Sequence, residues 1–157
     1  MTVKEATEAM LSAVGEVAPM LEALGLLTRT EVAYHTRHFR ETDREEGARY
    51  ISVSLIATLP REGKEPLEYA LGMSAEAKRG EVAENEIASE KEGLCSECTR
   101  VVEALSADGG IETALSELIR NADEEYAALL KKLKYIEIGF VAAAIVAIAI
   151  IIISALL

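Results

Sequence analysis

Apolar positions in the first two dozen residues recur in steps of three and four. Val3, Ala6, Met10, Ala13, Val17, Met20 and Leu24 therefore share one face of a helix. Thr2 and Glu5 have capping-box spacing, in which hydroxyl and carboxylate each bind an amide left unpaired at a helix start. The predicted helix runs to about Leu24, with Pro19 expected to kink or end it nearby and Gly25 to mark the stop.

From Glu31 the period falls to two. Ile51, Val53, Leu55, Ala57 and Leu59 alternate with Tyr50, Ser52, Ser54, Ile56 and Thr58, which predicts a strand with one buried face. After the turn-rich PREGKEP, Leu67, Tyr69, Leu71, Met73 and Ala75 alternate with Glu68, Ala70, Gly72, Ser74 and Glu76, a second strand. Upstream, EVAYHTRHF reads as a third strand, joined to the others through RETDREEG. An antiparallel meander with one face against the first helix is expected. The rival, a single helix over 30–59, suffers from a heavily charged middle and from Ser, Val and Thr better suited to a pleated surface.

The charged stretch AEAKRGEVAENEIASEKEG favours helix, and Leu94, Cys98, Val101 and Leu105 give its continuation an apolar face. SADGG then breaks the pattern. Ile111, Leu115, Leu118, Ala122, Tyr126, Leu129 and Leu133 open a last helix with no evident stop before the end of the chain. Long heptads are lacking before the closing stretch that begins at Ile138.

The closing stretch is apolar on every side. Residues 138–157 carry no charged side chain, and a helix of that length spans about 30 Å, the hydrocarbon thickness of a bilayer. A transmembrane helix satisfies its peptide groups internally, whereas a core helix this apolar would need burial on all faces in a small body. Lys131, Lys132 and Lys134 precede it and nothing basic follows, so the positive-inside tendency places the N-terminal body in the cytoplasm, as in a tail-anchored protein. Gly139, Ala143 and Ala147 recur every fourth residue, a small-residue stripe on which another span, including that of a homo-oligomer, can pack closely.

The expected fold is α+β: a small N-terminal helix, a three-stranded antiparallel meander and helices, followed by a single C-terminal transmembrane helix. It divides into a cytoplasmic body over 1–110, a juxtamembrane helix over 111–137 and an anchor over 138–157.

Composition narrows the partners. The net charge of −11 comes from 27 acidic and 16 basic residues, which excludes a nucleic-acid binder built on clustered Lys and Arg. Glu5, Glu8 and Glu16 interrupt what a secretory signal would need as an apolar run. The two cysteines form no disulfide framework and are expected as thiols in a reducing compartment.

Candidate chemistry is sparse. Cys95 and Cys98 are three apart, and His35 and His38 share that spacing, so a zinc site of two cysteines and two histidines is arithmetically available. Strand residues three apart point to opposite faces, so the histidines need a bulge to converge. The cysteines alone suit a redox pair or ordinary helix packing. Glu84 with Glu86 and Glu90 with Glu92 read as a solvated helix face. No phosphate loop, dinucleotide fingerprint or nucleophile elbow is present. The expectation is a tail-anchored accessory or scaffold subunit of a membrane complex, not an enzyme and without cofactor, the alternative being a membrane-tethered zinc or thiol sensor.

Overall fold

In a computed structural model the described residues are 1–35 and 50–156, with side chains described for 1–35 and 50–136. The element order is α1 (Val3–Glu22), β1 (Leu27–His35), β2 (Tyr50–Leu59), β3 (Leu67–Glu76), α2 (Glu84–Ser106) and α3 (Ile111–Leu156). The fold is α+β, with three antiparallel strands and three helices among the described residues.

The capping box forms as the spacing predicts. The Thr2 amide donates to Glu5 Oε2 at 2.7 Å, and the Glu5 amide donates to Thr2 Oγ1 at 3.3 Å. This bonding, led by the Thr2 amide, holds the Glu5 carboxyl below its ordinary range. Pro19 lies inside α1. Set in the last turn, it costs one internal bond, and the helix ends three residues later at Glu22, two short of the predicted Leu24.

The sheet has the order β1-β2-β3. Leu55 is paired with Thr30 on one side and Leu71 on the other. Ile51, Val53, Leu55 and Ala57 with Tyr69, Leu71, Met73 and Ala75 form the buried face, covered by α1 and α2. β1 begins at Leu27, four residues before the predicted Glu31, because Thr28, Arg29 and Thr30 continue the ladder opposite Ala57, Ile56 and Leu55. The rest of the predicted first strand, 36–39, lies outside the described residues.

The opposite face is largely polar, with Ile56 as its buried apolar member. Arg29 stands opposite Ile56, and its Nη1 crosses to Glu68 Oε1 at 2.6 Å. Hydrogen bonding from Arg29 lowers the Glu68 pKa. Gly72 is required by close packing: a Cβ there would stand 2.9 Å from the Val53 carbonyl oxygen.

The predicted helix after Ala75 starts later than its charged composition suggests. β3 extends to Glu76, and Arg79 and Gly80 both take positive φ, 59° and 81°. Lys78 and Glu81 exchange backbone bonds of 2.8 and 3.2 Å around them, the geometry of a type I′ turn. Only from Glu84 does α2 run, burying Ile87, Leu94, Cys98, Val101 and Leu105.

Gly109 and Gly110, both at positive φ, break the chain before α3 as SADGG predicts. The chain forms two compact units, Met1–Leu118 and Ile119–Leu157. The first includes Leu115 and Leu118 of α3, both buried. Among the described residues no helix is long and apolar enough to cross a membrane. The predicted span, including Gly139, Ala143 and Ala147, lies outside the described side chains. Its backbone is helical through Leu156.

Candidate interaction surface

Both cysteines lie on α2, and Cys98 faces α1. Cys98 is fully buried, and its Sγ lies 3.9 Å from the Val17 carbonyl oxygen. Burial first, then the neighbouring Cys95 and Glu97, raises the thiol pKa above its ordinary value. The thiolate is the reactive form, so burial and the raised pKa both slow reaction at Cys98. Cys95, one turn earlier, is half-buried. In native protein iodoacetamide at pH 8 is expected to modify Cys95 while Cys98 reacts at least about 100-fold more slowly, as a buried group that must wait for local opening. Peptide mass spectrometry reads this directly. Equal rates would mean that the α1–α2 seam is not packed as described.

His35 lies elsewhere. It is exposed, and its Nε2 stands 3.3 Å from Ser52 Oγ. Ser52 belongs to the polar face of the sheet, whereas Cys98 is packed among the helices on the other face. The structure thus does not bring His35 to the cysteines, and His38 lies outside the described residues. Among the described residues no group of three or more His, Cys, Asp or Glu side chains is placed to hold a metal ion. A hollow of about 340 Å³ between the β2–β3 turn and the start of α3 is lined by Arg61, Glu62, Lys64 and Glu112. Its arginine is already bound, donating to the Glu65 carbonyl at 2.7 Å and to Glu112 Oε1 at 3.2 Å.

The carboxylates of α2 have a function that spacing did not reveal. The Ser74 amide donates to Glu90 Oε2 at 2.9 Å, and the Glu76 amide donates to Glu86 Oε1 at 2.8 Å. These bonds leave β3 on the side away from β2 and close part of its outer edge, where unpaired amides would otherwise template another strand. Glu86 and Glu90 are therefore edge caps rather than members of a fully solvated face. The signal available in the sequence was the i, i+4 spacing of two acids beside a short β–α connection.

The opposite edge differs. In an antiparallel ladder alternate residues bond to alternate neighbours. Because the even residues of β3 face outward, the registers assign the odd residues of β2 to β3 and its even residues to β1. Even residues of β1 then direct their amides and carbonyls away from β2. Thr28, Thr30 and Val32 line this edge, with no strand beside them among the described residues. Thr28 is held by Glu22 through its hydroxyl. Val32 is 39 % exposed.

A second exposed surface runs along α3. Tyr126, Leu129, Leu130, Leu133 and Ile136 are between 48 and 63 % exposed. Lys131, Lys132 and Lys134 are exposed in the same segment. Together the fold and these surfaces define an α+β protein with one sheet edge partly capped, the other without a neighbouring strand among the described residues, and a long helix carrying exposed apolar side chains. The chain matches no protein-family model, no curated protein and no solved structure among those compared.

Proposed function

We propose that this protein is a tail-anchored, single-pass accessory or scaffold subunit of a membrane complex, its body a cytoplasmic interaction domain. The single observation that carries this reading is the run of twenty uncharged residues over 138–157, directly after Lys131, Lys132, Lys134 and Glu137. The helical backbone of α3 through Leu156 supports it, since a spanning segment must bond its peptide groups internally. Gly139, Ala143 and Ala147 supply a surface for close approach by another span. The edge at Thr28, Thr30 and Val32, which has no strand beside it among the described residues, offers the body a place to accept a partner's strand. Catalysis has no part in this reading, and no cofactor is needed for it.

The test uses the full chain in sealed membrane vesicles of known sidedness. In inverted vesicles, with the cytoplasmic surface outward, protease is expected to digest the body; in right-side-out vesicles the body should survive. Protection in the inverted preparation would reverse the topology. Recovery of the chain in the vesicle-free supernatant would remove the anchor altogether.

A further inference from the structure

We propose that residues 119–136 of α3 form a parallel coiled coil with a second copy of this chain. The parallel sense rests on the anchoring proposed above, which gives both copies a common direction; the pairing itself rests on the helix surface.

Along this helix Ile119, Ala122, Tyr126, Leu129, Leu133 and Ile136 are separated by three, four, three, four and three residues. That is the spacing of a coiled-coil seam, with Ile119, Tyr126 and Leu133 at the first (a) position of each heptad and Ala122, Leu129 and Ile136 at the fourth (d). Leu115 and Leu118 lie on the same face and are buried, 0 and 9 % exposed, whereas Tyr126 is 63 %, Leu129 and Leu133 are 52 % and Ile136 is 50 % exposed. One apolar stripe is therefore covered at its start and bare for the next three turns. The outer face is polar, with Arg120 Nε 3.9 Å from Glu124 Oε1.

Charge favours a second copy as the occupant. Lys132 falls at the last position (g) of one heptad and Glu137 at the fifth (e) of the next. In a parallel pair these positions meet across the seam, so twofold symmetry makes the Lys132–Glu137 pairing twice. Leu130 flanks the seam and widens it. Followed onward by sequence alone, the same repeat reaches Phe140, Ala143 and Ala147, so the seam enters the proposed span on its small-residue stripe.

The test is disulfide crosslinking of the full chain in lipid vesicles, with the native cysteines alone as baseline. Ala122→Cys and Ile136→Cys, both facing the seam, are each expected to give covalent dimers under mild oxidant, and Lys131→Cys on the outer face is not. Equal crosslinking at all three positions would indicate collision and overturn the proposal. Crosslinks appearing only when the Ala122→Cys and Ile136→Cys chains are mixed would indicate an antiparallel pair and overturn it likewise. Lys132→Glu should weaken association roughly 3- to 10-fold, the scale of exposed ion pairs, and adding Glu137→Lys should restore it. A swap without restoration would exclude this register. Flotation of the same samples separates the two readings: chains that float without crosslinking defeat the coil alone, and chains that crosslink without floating defeat the anchor alone.

Discussion

A chain lacking residues 138–157 is expected to lose membrane association completely while its body stays folded. The segment holds twelve Ile, Leu, Phe and Val side chains. At about 0.3–0.6 kcal/mol each toward membrane insertion, these supply roughly 4–7 kcal/mol, or about 1,000- to 100,000-fold in partition. What remains at the membrane surface is Lys131, Lys132 and Lys134, each contributing about 1 kcal/mol toward an anionic leaflet. The acidic body, in a chain of net charge −11, opposes that attraction. Flotation with vesicles at about 0.15 M salt, where such surface attraction is largely screened, measures the difference. The shortened chain should remain at the bottom of the gradient with an unchanged far-ultraviolet circular dichroism signal per residue over the body. Continued flotation of that chain would move the membrane contact to the body or the lysines and end the anchoring proposal.

Leu55→Ala should cost the body about 2–5 kcal/mol, the range for emptying a packed leucine site. Leu55 is 1 % exposed and directly paired with Leu71, itself 1 % exposed, at the centre of the sheet. The face it shares with Val53 and Met73 is roofed by α1 and α2, so collapse around a cavity would have to move strands held in two registers. Against a total stability of about 5–15 kcal/mol for an ordinary domain, the loss is a large fraction. Urea unfolding followed by circular dichroism should show the midpoint falling with little change in slope. Leu55→Met keeps the volume and should cost less than about 1.5 kcal/mol. A loss below about 1 kcal/mol for the alanine variant would mean that this position is not the packed centre described.

Much of the architecture was legible because burial imposes a period. The three–four spacing of α1 and the two-residue alternation of β2 and β3 report which face meets the core, and Val3, Ala6, Met10 and Val17 with Ile51, Val53 and Leu55 are buried accordingly. The capping box and the paired glycines at 109 and 110 are local chemistry and formed where they were read. The start of β1 was harder. Thr28, Arg29 and Thr30 show no apolar alternation, since this edge strand is exposed over most of its length, and they became strand through pairing with β2. The start of α2 was hidden for a related reason: Lys78 through Glu81 is helix-compatible by composition, yet the turn that reverses the chain there requires positive φ at Arg79 and Gly80.

Sequence by itself determined the amphipathic stripes, the helix start, the uncharged run at 138–157 and its basic flank, because each depends on residues near one another along the chain. Tertiary structure decided which polar groups meet. Glu86 and Glu90 became caps on the edge of β3, Cys98 became a buried packing group against Val17, and His35 was left on the far face of the sheet from it. Those outcomes depend on which face of each strand and helix turns inward and on what lies across the gap, and neither spacing nor composition carries that information.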